Sequence, residues 1–200
     1  MTEHYYSAKP MAAHELNQIQ VKLRGKDFTF VTDAGVFSKR EIDFGSKLLI
    51  ETMVINRKDS VLDVGCGYGP IGLSAALLAD QGRVTMIDIN ERAIQLCRDN
   101  AKRNGISNIS IWQSDLLAQV AGQKFDCVLT NPPIRAGKEV VHQIFVQAFS
   151  ILVPGGHLWV VIQKKQGAPS AFTKLETIFG NVQEVTKDKG YRIYKAIKKN

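Results

Sequence analysis

Val61-Leu-Asp-Val-Gly-Cys-Gly-Tyr-Gly-Pro-Ile-Gly72 decides how the rest of the chain is read. Val61 to Val64 has the apolar character of a buried strand, Gly65, Gly67 and Gly69 make a loop, and Pro70 opens a helix. Proline at the first helical position gives up no N–H that the helix would use. The glycines let the backbone turn sharply and approach a ligand closely, and the start of the helix presents unpaired N–H groups.

A dinucleotide-binding loop would read G-x-G-x-x-G, with a pyrophosphate seated on the helix N-terminus. Here the glycines are one residue tighter, Gly65-x-Gly67-x-Gly69, and Asp63 stands just before them. A carboxylate there repels a pyrophosphate but suits ordering the loop and holding an ammonium group. The next strand, Val84 to Ile89, carries Asp88 at its tip, suited to bidentate hydrogen bonding of ribose hydroxyls. A ligand with a ribose, a positive amino-acid end and no phosphate fits these residues. S-adenosylmethionine is such a ligand, leaving as S-adenosylhomocysteine.

Outward from this stretch, strands and helices alternate. Helices are expected over Pro70–Ala79 and Glu91–Arg103, the second ending near Asn104-Gly105. Ile109–Trp112 and Phe125–Thr130 read as strands, followed by a helix from about Glu139 to Leu152 and a strand over His157–Ile162. A helix around Ser170–Ile178 and strands near Val182–Thr186 and Tyr191–Ile197 complete the series. The pattern implies an α/β fold: a doubly wound, Rossmann-like, seven-stranded and mostly parallel sheet with helices on both faces. Lys187 to Gly190 is too short for a crossover, so the C-terminal strand pairs antiparallel. Upstream, Ile19–Thr32 reads as a hairpin turning at Gly25, Asp33–Ser38 as a loop, and Asp43 or Ser46 as the cap of a helix lying across the glycine loop. The expected organisation is an arm over residues 1–18 and one domain over 19–200, with the hairpin and helix of 19–58 as part of it.

Two hundred residues that are 44% hydrophobic and 22% charged suit a single soluble domain with a full core. No apolar run has the length of a membrane span and the N-terminus lacks a secretory pattern, so the cytoplasm is the expected place. Cys66, Cys97 and Cys127 lack metal-site spacing and sit in apolar settings. His4, His14, His142 and His157 share no spacing that suggests a metal or a triad, and no metal is expected. The net charge of +7 points toward a polyanionic partner.

Asn131-Pro132-Pro133-Ile134 follows the strand Phe125–Thr130. Ligands of open α/β sheets bind beyond the carboxyl ends of the strands, at the switch point, so this tetrapeptide and the glycine loop flank one crevice. The prolines stiffen the turn and fix the Asn131 side chain and the Pro132 carbonyl. Two rigid acceptors aimed together can take both hydrogens of an –NH2 group. Accepting them turns a delocalised lone pair toward a sulfonium methyl for in-line displacement, with no strong base required.

Val61 to Gly69, Asp88 and Asn131-Pro-Pro-Ile134 resemble the motifs of class I S-adenosylmethionine-dependent methyltransferases that act on amino groups. The wider run resembles the catalytic domain of the RsmC-type ribosomal RNA guanine-N2 methyltransferases over most of residues 28–197. Its markers are Gly35-Val-Phe-Ser38, Asp43-x-Gly-Ser-x-Leu-Leu49 and Asn131-Pro-Pro-Ile-Arg-Ala-Gly-Lys138. The resemblance implies that Gly65, Cys66, Gly67 and Gly69 approach the methionine part of the cofactor and that Asp63 holds its loop or amino group. It places Asp88 and Ile89 at the ribose, and Asp115 and Leu116 at the adenine. Asn131 borders the cofactor and, with Pro132 and Pro133, receives the target amine. The implied target is guanine N2 of small-subunit (16S) ribosomal RNA. Those larger enzymes carry a second, non-catalytic copy of the domain, not found in these 200 residues. Many amino-methyltransferases have an aromatic residue where this chain has Ile134, which offers apolar contact but no π-face; Phe37 is the candidate to supply one.

Arg135 and Lys138 after the tetrapeptide, and Lys164 and Lys165 after the strand His157–Ile162, are expected to rim the crevice. Phosphate contacts there position a nucleic acid without reading its sequence. With Ile134 and Phe37 they are the candidate substrate contacts. The expected partner is RNA, as ribosomal RNA or the small ribosomal subunit, and a monomer is favoured. Two rival readings are methylation of a protein glutamine amide, whose enzymes usually have tyrosine in place of Ile134, and a cofactor-binding RNA assembly factor without turnover.

Overall fold

The computed structural model describes residues 14–199, so most of the expected N-terminal arm, with His4, lies outside the described residues. The first strand, β1 (Asn17–Leu23), begins two residues before the expected hairpin start and pairs antiparallel with β2 (Lys26–Thr32). Their turn places Arg24 and Gly25 at φ 47° and 77°. Positive φ at both central positions gives the tight turn whose twist matches paired strands. The segment then runs through α1 (Phe44–Thr52) into the main sheet.

That sheet contains β3 (Ser60–Val64), β4 (Arg83–Asp88), β5 (Ile109–Gln113), β6 (Phe125–Thr130), β7 (Leu152–Gln163), β8 (Gln183–Asp188) and β9 (Tyr191–Ile197). Their order is β5-β4-β3-β6-β7-β9-β8, and β9 is antiparallel to both its neighbours while β3 to β7 run parallel. The expected seven-stranded sheet with one antiparallel strand is the one the chain forms. β7 starts five residues earlier than the sequence pattern suggests: Leu152 pairs with Phe125, and the register shifts before His157 pairs with Cys127. A bulge of this kind hides the alternation that marks a strand.

Helices cover both faces. On one side α1, α2 (Pro70–Leu78), α3 (Glu91–Arg103) and the hairpin pack over Val61, Met86, Leu129, Trp159 and Ile193. On the other, α4 (Lys138–Ile151) and α5 (Ala168–Phe179) cover Leu62, Val64, Val128, Val160 and Ala196. α3 shows the local logic. Asn90 caps it by accepting the Ala93 N–H, Glu91 opens it, Lys102 and Arg103 close it, and Ala93, Ile94, Cys97 and Ala101 form the buried stripe. The three cysteines are buried and free, as their apolar settings suggested. Among the described residues, no helix is long and apolar enough to cross a membrane.

Asn100, on the buried face of α3, stitches three pieces together. Its Oδ1 accepts the Val31 N–H at 2.7 Å, and its Nδ2 donates to the carbonyls of Val31 and Tyr68, both at 2.9 Å. Asn100→Ala strands these backbone groups away from water and is expected to cost about 3 kcal/mol, a fall of roughly 10 °C in Tm. Calorimetric melting checks this, and a fall under about 2 °C would show that the hairpin does not depend on the contact.

Candidate active site

Strand order reverses between β3 and β6, with β4 and β5 on one side and β7 on the other. The chain leaves β3 through the glycine loop and β6 through Asn131-Pro-Pro, so both loops meet beyond the carboxyl ends of the strands. The Thr130 hydroxyl donates to the Val64 carbonyl at 2.9 Å and ties the two strand ends together. Gly65, Gly67 and Gly69 lie at φ 74°, 55° and 108°, conformations that side chains rarely adopt.

Asp88 organises this loop. One carboxylate oxygen accepts the Gly67 N–H at 2.8 Å and the other accepts the Asn90 N–H at 2.9 Å. Burial raises its pKa against the pull of these N–H groups, yet part of the side chain stays open to a cavity of about 500 Å3 that it lines. Gly65, Cys66, Gly67, Ile89, Asp115, Leu116, Asn131, Pro132, Pro133 and Phe37 line the same cavity. The Cys66 thiol is pushed up by the neighbouring Cys97 thiol and by burial, so it stays neutral there.

Two of the expected cofactor residues are not at its surface. Gly69 is buried, and a Cβ there would meet Cys97 Sγ and the Leu73 side chain at 3.0 Å, so its part is close packing of α2. Asp63 is fully buried on the α2 face of β3, and neither carboxylate oxygen makes a hydrogen bond of good geometry. Burial lifts its pKa to about 7; the nearby Gly72 N–H draws it down and Asp88 pushes it up. Unfolded, an aspartate titrates near ~3.9. Between these values the folded chain holds a proton that the unfolded chain has released, so this group's contribution to stability falls as pH rises through the window and stays low above it. Asp63→Asn is expected to stabilise the ligand-free protein more at pH 8 than at pH 5, by about 2 kcal/mol in denaturant titrations. An equal effect at both pH values would place the ionisation elsewhere.

Asn131 lies partly exposed at the far side of the cavity, its Nδ2 donating to Asp43 Oδ2 at 3.2 Å and Ser46 Oγ at 3.0 Å. Its Oδ1 takes no partner among the described residues, nor does the Pro132 carbonyl, whereas the Pro133 carbonyl accepts the Ala136 N–H. Two neighbouring residues of the cavity lining therefore carry acceptors that no group among the described residues occupies. The loop before α1 closes the cavity from above. It is pinned by Asn90 Nδ2 to the Gly35 carbonyl, by Arg92 to the Ala34 carbonyl, and by the Tyr68 hydroxyl to the Ser38 carbonyl.

A second cavity of about 450 Å3 adjoins the first and shares Phe37, Asp43, Asn131 and Pro132 with it. Ile134, Arg135, Lys39, Gln166 and Tyr191 are among the residues it adds. The two differ in charge. Among the described residues, the first is lined by Asp43, Asp88 and Asp115 and by no lysine or arginine; the second brings in Lys39 and Arg135. Lys138, Lys164 and Lys165 are exposed and line neither. Gln166 and Tyr191 were not among the residues expected from sequence. Tyr191 donates to Asp43 Oδ1 at 3.0 Å, and its pKa is pushed up to about 12 by burial and by Asp43, so it remains a donor. No group of three or more His, Cys, Asp or Glu suited to a metal occurs among the described residues.

S-adenosylmethionine is the cofactor this architecture implies, and the residues fit it. A cavity with three carboxylates in its lining suits a cationic ligand, and the buried Asp63 beneath the glycine loop adds negative charge once it ionises above about pH 7. Gly65, Cys66 and Gly67 would hold its amino-acid end, Asp88 its ribose, and Asp115 with Leu116 its base.

Known proteins share this fold. YbxB of Bacillus subtilis (strain 168) is 54% identical over 200 residues, 99% of this chain and 100% of that protein. The ribosomal RNA large subunit methyltransferase G of Photobacterium profundum is 31% identical over 172 residues, 82% of this chain and 45% of its own length. The structure of the T. thermophilus 16S rRNA N2 G1207 methyltransferase (RsmC), in complex with AdoMet and guanosine, matches with a TM-score of 0.82 at 25% identity, over 95% of this chain and 52% of that one. The chain thus spans about half the length of these ribosomal RNA methyltransferases. A family model described as the methyltransferase small domain matches residues 27–195, from β2 through β9, and the chain belongs to that family.

Proposed function

We infer that this protein is a cytoplasmic S-adenosylmethionine-dependent methyltransferase acting on an exocyclic amine of RNA, with guanine N2 of 16S ribosomal RNA as the leading target. One observation carries the reading: an acidic cavity abuts, at Asn131 and Pro132, a second one where Arg135 and the Glu15-paired Lys39 stand beside the shared Asp43. The first suits a cation without phosphate, and the second suits a nucleotide whose phosphate meets Arg135, with Lys39, held by Glu15 at 2.6 Å, beside it. When bound, the cofactor supplies a sulfonium methyl group, which moves to nitrogen as its bond to sulfur breaks and the amine's surplus proton passes to water. Asn131 Oδ1 and the Pro132 carbonyl take the two amine hydrogens and set the lone pair toward that methyl. Phe37 and Ile134 flank the shared mouth and give the base apolar contact. The target atom is drawn from the RsmC likeness, while the large-subunit relative keeps the other rRNA in view.

The test is methyl transfer from labelled S-adenosylmethionine to both ribosomal subunits, deproteinised ribosomal RNA and total protein in parallel, with nucleoside mass spectrometry of the digests. Label in N2-methylguanosine from 16S RNA is the expected result. Label in another modified base or in 23S RNA would relocate the target. Label in protein glutamine would move the activity to an amide substrate, a reading that Arg135 in the second cavity disfavours. Cofactor binding without label in any substrate would leave the non-catalytic assembly factor.

A further inference from the structure

Asn131 is held from behind. The two groups that receive its Nδ2, Asp43 Oδ2 and Ser46 Oγ, sit at the N-cap and first turn of α1. Asp43 Oδ2 also accepts the Ser46 N–H at 3.0 Å, and Oδ1 accepts the Tyr191 hydroxyl at the same distance. Tyr191 opens β9, 148 residues downstream of Asp43. Its ring crosses the first turn of α1 at Gly45, where a Cβ would come within 2.6 Å of it and 2.9 Å of Asp43 Oδ2. Glycine at 45 is what lets the three elements meet.

The contacts decide which end of the Asn131 amide is available. With both acceptors at nitrogen, the amide is fixed with Oδ1 as its unpartnered end. A flipped amide would set Oδ1 against the Asp43 carboxylate, acceptor against acceptor. The carboxylate also draws on the Nδ2 hydrogens and leaves more negative charge on Oδ1. That strengthens the acceptor as an attacking amine nitrogen becomes positive.

We propose that Asp43, anchored by Tyr191 and Ser46, is a positioning residue that orients and polarises the Asn131 amide for the incoming amine. The inference rests on the methyl-transfer reading and deepens it. Asp43 acts through Asn131, and Tyr191 couples the antiparallel C-terminal strand to the site.

Asp43→Asn is the informative variant, because an asparagine that still caps the helix keeps one neutral oxygen toward Ser46 N–H and Asn131, turns its amide nitrogen to Tyr191, and removes the carboxylate charge. It is expected to lower kcat by about 10- to 30-fold through loss of a charge-assisted bond. Cofactor affinity by calorimetry is expected to fall by no more than about threefold, since Asp88 and Asp115 keep the cavity acidic, and Tm by only a few degrees. Tyr191→Phe and Ser46→Ala are expected to give smaller falls, and Asp43→Asn placed on Asn131→Ala no further fall, since the two act as a unit. A readout that needs no turnover is the Asn131 side-chain amide pair in 15N–1H spectra, identified as the pair lost in Asn131→Ala. It is expected to exchange slowly with solvent in the wild type and measurably faster in Asp43→Asn, where the acceptor has lost its charge. Wild-type kcat in Asp43→Asn, or an effect that adds in full to Asn131→Ala, overturns the positioning role and leaves methyl transfer standing. Absence of RNA methylation by the wild type removes the functional reading instead, and the amide spectrum then decides: fast exchange in the wild type overturns the proposal, and slow exchange that quickens in Asp43→Asn upholds it.

Discussion

Asn131→Ala is expected to lower kcat by about 100- to 1000-fold while cofactor affinity stays within about threefold, the scale seen when one preorganised polar group aimed at developing charge is removed. The asymmetry follows from where the side chain sits. Asn131 borders both cavities, and its Nδ2 is already committed to Asp43 and Ser46. What remains is one oxygen beside the Pro132 carbonyl, an acceptor pair rather than a cofactor grip. Alanine leaves the glycine loop and the Asp88 contacts untouched, so the first cavity keeps its shape. It removes one of the two acceptors proposed to align a weakly nucleophilic amine, and alignment is lost mainly in the transition state. Steady-state kinetics with RNA, beside calorimetry with S-adenosylmethionine, separates the two quantities. Full activity would assign the alignment to other groups. Loss of affinity with kcat intact would make Asn131 a cofactor residue.

The fold was legible because its signals are local. Gly65-x-Gly67-x-Gly69 before Pro70 announces a strand–loop–helix, and the short link from Lys187 to Gly190 forces an antiparallel end. The place of the site followed from topology, since the loops after β3 and β6 must meet where the strand order reverses. Asp63 and Gly69 sat in the right motif but away from the cavity. Alternation along β3 contained that answer for Asp63: it shares the α2 face with Val61, while Leu62 and Val64 point the other way. The lining of the second cavity was out of reach for a different reason. Tyr191, Gln166 and Lys39 come from three remote segments brought together by tertiary packing alone, and no spacing rule connects them. Lys138, Lys164 and Lys165 show how far position alone reaches. Position after a strand end places a lysine near a crevice without saying where its side chain lies, and these three are exposed outside both cavities.

Asp88→Ala is expected to weaken S-adenosylmethionine binding by about 100-fold or more, because two hydrogen bonds to a charged group contribute about 3 kcal/mol together. The carboxylate is already oriented by the N–H groups of Gly67 and Asn90, and each oxygen keeps lone-pair capacity for a ribose hydroxyl. The alanine variant would lose the proposed ribose contacts and also frees the Gly67 N–H, loosening a loop that stands at φ 55° there. Asp88→Asn gives a finer test. Its amide nitrogen must face one of two backbone N–H groups, donor against donor, so a neutral isostere is expected to recover less than about half of the lost binding free energy. Calorimetry supplies both affinities, and unchanged binding in Asp88→Ala would remove Asp88 from the site. The ribose does not change during transfer, so these contacts hold the ground state and the transition state alike. At saturating cofactor, kcat is therefore expected to stay within about threefold of the wild type. A collapse of kcat with affinity preserved would instead make Asp88 part of the alignment, acting through Gly67 and the loop it orders.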